Sequence, residues 1–395
     1  MLHRNVKVLL SSAFIVSLSI GISYPYLSEY VYSITGSSII AGIVPFMVSI
    51  IGVPLLVLGG YLADIFGRKR IICFGTILLG LSQFLYSIAN DYYWLFIAAF
   101  IEGLSYIYFP AFTALIMDSA HKYQLVEVFT LDVILSHTPY MISPVLGGVL
   151  RDLYGVSGLR FGFMICSIIA LAIALARWLL LSETIETTGD IKALVSSMLK
   201  INESFNALNL TIKRLIAIRM FIACWLSMLF YFTVLYATRY VEIVSFTEWG
   251  VISAFSSAFY VLTYPIAKII KNFKPAKTYS IMVFLESLAS ILIIQNMKYM
   301  LLASMILLNT CGALTYAIER TIITELTNQS MRGRVESFMN ISFYIGSALG
   351  YITGGYLYAY NPQYIFLAAA ILLGVGSILI NTLLKHLKPH LITHF

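Results

Sequence analysis

A few ionisable residues stand out because they lie deep within apolar stretches: Glu102, Asp132, His137, Glu286, Glu319 and Arg320. Charges inside a membrane are costly and rare, so each is a candidate for function. The chemistry open to them is proton exchange. A carboxyl group in an apolar setting can load and release a proton, and an imidazole is suited to the same work near neutral pH. Glu102, His137, Glu319 and Asp132 are therefore the proton-exchange candidates, while Glu286 has no evident role. Ser105, Tyr106, Phe109 and Thr113 follow Glu102 at helical spacing, which predicts one polar and aromatic face. Asn309, Gly312, Tyr316 and the Glu319–Arg320 pair form a second stripe, whose alternative reading is a buried ion pair tying two helices. Tyr106, Asn309, Tyr316 and Arg320 are candidates for contact with a small solute, as are Tyr231 and Tyr260. Glu29, Arg239 and Glu242 fall near span ends and are expected to reach water, and Arg177 and Arg219 are expected to snorkel toward it. No His, Cys or paired carboxylates stand at metal-ligand spacing. The four cysteines, Cys73, Cys166, Cys224 and Cys311, form no CxxC pair and read as small buried hydrophobes. Neither a metal, a cofactor nor an enzymatic centre is expected.

These residues need a membrane-spanning frame. The chain has 395 residues, of which 60% are hydrophobic and 11% charged. Soluble domains carry about 25% charged residues, so an ordinary soluble enzyme, a disordered chain and a secreted disulfide scaffold are excluded. Spanning runs fall at about 8–33, 38–62, 70–90, 92–118, 128–153 and 158–182, then at about 214–240, 246–270, 278–296, 299–326, 335–360 and 363–384. That predicts an all-α integral membrane protein with twelve transmembrane helices. A β-barrel would show ten-residue alternating segments instead. The start, MLHRNVKVLL, resembles a signal peptide, but no A-x-A site follows and the apolar run continues, so it is read as a retained first span.

Positive charge orients the helices. One side holds both termini, the even-numbered loops and the central loop, with 18 of the 25 Lys and Arg residues; the odd-numbered loops hold only Arg151, Arg160, Arg239 and Lys298. Both termini are expected to be cytoplasmic. The net charge of +7 follows from those loops, so nucleic acid is not an expected partner. The chain also repeats at half length. Val126-Glu127-Val128-Phe129 and Val335-Glu336-Ser337-Phe338 lie 209 residues apart, as do Gly103 and Gly312; Gly147-Gly148 and Gly354-Gly355 are two residues out of that register. The prediction is a six-helix half over 1–182, a cytoplasmic linker over 183–213 carrying a surface helix, and a second six-helix half over 214–395. Two parallel halves are a known way to build alternating access around a midplane site.

The most specific motif joins spans 2 and 3: Gly59-Gly60-Tyr61-Leu62-Ala63-Asp64-Ile65-Phe66-Gly67-Arg68-Lys69-Arg70. Gly67 permits a tight turn, Asp64 is a carboxylate at a helix end, where a neighbouring helix N-terminus can stabilise it, and Arg68 can bridge to another carboxylate. This loop resembles the signature G-x-L-A-D-[R/K]-x-G-R-[R/K]-[R/K] of the major facilitator superfamily, with Ile65 in place of the usual basic residue. Span count, central loop and repeat fit the same family across the chain. The resemblance implies a secondary active transporter with spans 1, 4, 7 and 10 lining its cavity, which promotes Glu102, Glu319 and Arg320. It also implies a cytoplasmic gate of Gly60, Asp64, Gly67, Arg68, Asp118 and Arg334, with Asp64 approaching Arg334 and Arg68 approaching Asp118. Ser143-Pro144-Val145-Leu146-Gly147-Gly148 looks like the end of the family's antiporter motif, without its upstream glycines; the alternative is close helix packing through small residues. The chain thus resembles the drug:proton antiporter group. The expected activity is proton-coupled efflux of a small hydrophobic or amphipathic solute by a monomer in the cell membrane. Import or uniport is the runner-up, and a non-transporting membrane receptor is the reading from another class.

Overall fold

A computed structural model describes residues 2–121, 124–185, 205–206, 208–259, 263–270, 273–327 and 332–384. Most of the expected linker, together with Tyr260, lies outside them. The described residues are all-α. Span 1 is Arg4–Thr35, span 2 Ser38–Phe66, span 3 Arg68–Ile88, span 4 Tyr92–Ser119, span 5 Glu127–Tyr154 and span 6 Val156–Leu180. Span 7 is Leu210–Tyr240 and span 9 Pro275–Ile294. Span 8 comprises Phe246–Ala258 and Thr263–Ile270; span 10 is Lys298–Leu326, span 11 Arg332–Tyr360 and span 12 Gln363–Leu383. Among the described residues, ten of these are long and apolar enough to cross a membrane. The other two are span 8, described as two shorter helices, and span 11, a 29-residue helix rich in Gly, Ser and Tyr.

The helices fall into two compact units. One holds Met1–Ile201 with Phe246–Gly250, and the other Asn202–Ser245 with Val251–Phe395. In the first, span 1 packs on spans 5 and 6, span 2 on span 4, and span 3 on spans 4 and 6. In the second, span 7 packs on spans 11 and 12, and span 9 on spans 10 and 12. Small residues make these approaches possible. A Cβ on Gly147 would sit 1.7 Å from the Ile22 carbonyl oxygen, so span 5 rests directly on the backbone of span 1. Span 11 touches span 7 in the same way. The glycine-rich stretches of spans 5 and 11 are therefore surfaces of close helix packing.

Several spans are bent at prolines. Span 4 breaks between Ser105 and Tyr108, where Pro110 cannot donate to the carbonyl four residues back. The chain tightens there into shorter bonds, Tyr106 N–H to Gly103 and Ile107 N–H to Leu104. Span 5 passes through a short 3-10 stretch, Thr138–Met141, which contains Pro139. The break in span 4 divides the expected face: Glu102 and Ser105 are buried, whereas Phe109 and Thr113 are exposed.

Candidate functional site

The candidate residues fall into three groups of polar side chains. The first surrounds the loop between spans 2 and 3. Gly67 adopts φ +100°, a region that side chains disfavour, and so lets span 2 end and span 3 start one residue apart. Arg68 forms an ion pair with Asp118 at the end of span 4 and lies 3.8 Å from Asp64. Its guanidinium also donates to the Ala114 carbonyl at 3.0 Å. Thr184 donates to Asp118 at 2.9 Å. Glu183, just after span 6, accepts from the Arg68 and Lys69 backbone N–H groups at 3.1 Å each. A carboxylate there satisfies the exposed donors of a helix N-terminus and complements its dipole. Asp64 is solvent-exposed, with 63% of its side chain accessible, and Gly60 is half-buried. The side chain of Arg334 lies outside the described residues.

The second group lies in the unit of spans 7 to 12. Arg219 of span 7 pairs with Glu319 of span 10 at 2.5 Å. The Tyr279 hydroxyl of span 9 donates to the other Glu319 oxygen. Glu319 is thus held by an ion pair that ties helices. Arg219 packs over the Phe343 ring at 4.9 Å; it does not snorkel, because its partner is within the helix bundle. Arg320 turns elsewhere, pairing with Glu336 of span 11 and donating to the Tyr316 hydroxyl at 2.6 Å. Asn309 donates to Ser256 of span 8 at 3.0 Å. The expected stripe on span 10 therefore fans out to four neighbouring helices. Glu286 of span 9 is fully buried, and neither carboxyl oxygen has a hydrogen-bond partner.

The third group lies in the unit of spans 1 to 6. Glu102 is buried, its Oε2 has no hydrogen-bond partner, and the hydroxyls of Tyr24 and Tyr86 face its carboxyl. These tyrosines belong to spans 1 and 3, so the carboxyl sits among the helices of its own unit. Tyr106 is half-buried, Asp132 is half-buried and His137 is exposed. Glu29 does not reach water: it is fully buried and bound twice by Arg151, at 2.7 and 3.0 Å. Arg177 does not snorkel either. It is buried, donates to Ser12 at 3.0 Å and Thr76 at 2.7 Å, and lies 5.5 Å from the Phe112 ring. Arg151's neighbour Asp152 accepts from the Phe246 and Thr247 backbone N–H groups at 3.2 and 2.7 Å, capping the start of span 8.

Sequence reasoning missed Glu183, Tyr279, the Arg219–Glu319 pair and the Glu29–Arg151 pair. Depth matching offers a signal for one of them. Arg219 lies nine residues from the start of span 7 and Glu319 seven from the end of span 10. Both are therefore at similar distance from one face of the membrane.

A profile of the Major Facilitator Superfamily matches residues 9–262 and 220–393. The chain belongs to this superfamily. Among curated relatives, the Quinolone resistance protein NorA of Staphylococcus aureus is 28% identical over 154 residues, which cover 38% of this chain and 39% of that protein. A Na(+), Li(+), K(+)/H(+) antiporter of Planococcus maritimus is 30% identical over 155 residues, 38% of this chain and 36% of that protein. Alignments to these relatives thus span well under half of their length. Among solved structures, the nucleoside transporter NupG superposes with a TM-score of 0.72 at 15% identity, covering 96% of this chain and 98% of that one. That likeness speaks for the fold alone. In the loop between spans 2 and 3, the Arg68–Asp118 contact is the one expected from the resemblance.

Proposed function

We propose that this superfamily member is a secondary active transporter. It works by alternating access and exports a small hydrophobic or amphipathic solute in exchange for protons. The family match carries the transport reading, and the two partial relatives, one named for quinolone resistance and one for cation/proton antiport, support exchange and efflux over import. The moving bodies in this reading are the six-helix halves 1–182 and 214–395, joined by a cytoplasmic linker over 183–213. The protein acts as a monomer in the cell membrane with both termini in the cytoplasm. Glu102 is the first proton-coupling group, because it is a buried carboxyl faced by hydroxyls and by no cation among the described residues. His137, Asp132 and Glu319 are its competitors. Tyr106, Asn309, Tyr316 and Arg320 are the solute contacts, and Gly60, Asp64, Gly67, Arg68, Asp118 and Arg334 form the cytoplasmic gate.

The test is Glu102→Gln in proteoliposomes, with an intrinsically fluorescent quinolone as reporter. The substitution keeps the shape and removes the titrating group. Accumulation driven by a pH gradient is expected to disappear while solute exchange without a gradient persists. Gradient-driven accumulation that survives removes Glu102 from the role.

A further inference from the structure

The chain leaves span 6 through four residues, and each of them is held by a different part of the first compact unit. Leu181 is extended (φ −77°, ψ 144°) and buried in the apolar core to which spans 1, 3 and 4 contribute Val6, Ile72 and Leu115. Ser182 is bracketed by Asn5 at the start of span 1. The Asn5 side-chain oxygen accepts from the Ser182 N–H at 2.9 Å, and its nitrogen donates to the Ser182 carbonyl at 3.0 Å. Glu183 accepts from the Arg68 and Lys69 backbone N–H groups at 3.1 Å each. Thr184 donates to Asp118 Oδ2 at 2.9 Å, and this is the same oxygen that pairs with Arg68. Asn5 also donates to the Ser119 hydroxyl at 3.0 Å, one residue beyond Asp118, and is itself fully buried. Both donors and the acceptor of its amide are thus in use.

We propose that Asn5, Glu183 and Thr184 are positioning residues of the cytoplasmic gate: they make the exit from span 6 a strap that fixes both members of the Arg68–Asp118 pair. The proposal rests on the gate reading above and adds the residues that set its geometry. Arg68 and Lys69 are the first two residues of span 3, and their N–H groups have no partner inside the helix. A carboxylate satisfies them and complements the helix dipole, so Glu183 holds the backbone from which the Arg68 side chain starts. Thr184, the next residue, holds the carboxylate at which that side chain ends. Asn5 fixes the strap and the end of span 4 to one point, through Ser182 and Ser119. The pair is partly sheltered, with 14% of the Arg68 side chain and 32% of the Asp118 side chain exposed. Closing a gate on loose side chains costs the entropy of ordering them. The strap orders them beforehand, within the first unit alone.

The test reads gate closure without any solute. In a background lacking the four native cysteines, spin labels on Glu127→Cys and Lys277→Cys, both exposed near the starts of spans 5 and 9, report the separation of the halves in lipid by double electron–electron resonance. Glu183→Gln keeps the side-chain shape and one acceptor oxygen; Thr184→Val keeps the volume and removes the hydroxyl. Each is expected to raise the ratio of long-distance to short-distance molecules about three- to tenfold. Thr184→Ser, which retains the donor, should return it to the wild-type value. Asp118→Ala alone should raise the ratio too. Adding either strap substitution to Asp118→Ala should then change it by less than about twofold, because the strap has no pair left to hold. A merely structural strap would give full additivity on that background, and this result overturns the proposal. So does a ratio that either strap substitution leaves unmoved while Asp118→Ala raises it. If Asp118→Ala itself has no effect, the gate reading falls and the strap's role falls with it. Asn5→Leu removes three bonds from a buried position and should act in the same direction; if it does not fold, the two exposed substitutions decide.

Discussion

The Glu29–Arg151 pair makes a quantitative prediction about the first compact unit. Glu29 is fully buried, and Arg151 binds it through Nε at 3.0 Å and Nη2 at 2.7 Å. Ser33 adds a third bond to the carboxylate at 2.6 Å. Arg151→Met keeps most of the side-chain volume and removes the cation, leaving a buried carboxylate without its charged partner. Breaking a buried pair from one side costs about 3–5 kcal/mol. The SDS titration should read that cost directly, as an unfolding free energy about 3–5 kcal/mol below that of the wild type. Glu29→Gln strands the guanidinium instead and should cost a similar amount. The double variant strands neither group. It should recover most of the loss, because the net worth of a buried pair against neutral replacements is small. The assay is equilibrium unfolding in mixed micelles with rising SDS, on wild type, both single variants and the double. A double variant whose loss equals the sum of the singles within about 0.5 kcal/mol would mean that the two residues act independently, and the reasoning would fail.

Three further outcomes can be checked. Gly147→Leu places side-chain atoms where a Cβ alone would be 1.7 Å from the Ile22 carbonyl oxygen; overpacking of this kind costs about 1–3 kcal/mol or more, and the same SDS titration should show it, whereas Gly36→Leu, with no heavy atom within 4 Å, should show strain from its positive φ but no clash. In a background lacking the four native cysteines, Lys69→Cys and Ser196→Cys should react with an impermeant maleimide from the cytoplasmic side and Asn90→Cys from the outside; opposite sidedness of the first two would break the two-half topology. Asp64→Asn should slow transport with near-normal expression and solute affinity, and unchanged transport would remove the gate role.

The spans were legible because hydrophobic length is a one-dimensional property. Span 2 was expected at 38–62 and runs Ser38–Phe66; span 12 was expected at 363–384 and runs Gln363–Leu383. The turn at Gly67 was legible too, since few residues other than glycine accept φ +100°. Partnerships were not. Glu29 lies six residues before the end of span 1, about 9 Å along a helix, and depth alone left it free to reach water. Its burial follows from which way the helix faces, and that is set by span 5, more than a hundred residues on. Arg177 was misjudged for the same reason: its solvation comes from hydroxyls on spans 1 and 3. The break in span 4 was foreshadowed by Pro110, yet the regular spacing after Glu102 hid its effect on which residues share a face.

The described residues meet the cost of buried charge in three different ways. Glu29 with Arg151, and Glu319 with Arg219, cancel each other at bonding distance. Arg177 is solvated without an acid, by two hydroxyls and by aromatic faces, which suits a guanidinium because its charge is delocalised and weakly hydrated. Glu102 and Glu286 differ from both: each has a buried oxygen without a partner and no cation bonded to it, although the Tyr24 and Tyr86 hydroxyls face the Glu102 carboxyl. A paired charge is fixed by its partner, and a solvated guanidinium cannot lose its proton under ordinary conditions. A carboxyl with neither can become neutral only by taking up a proton. Structural requirements account for the first two classes through the helices they tie together. They do not account for Glu102, so in the proposed reading it stands ahead of the paired Glu319 as the proton-coupling group.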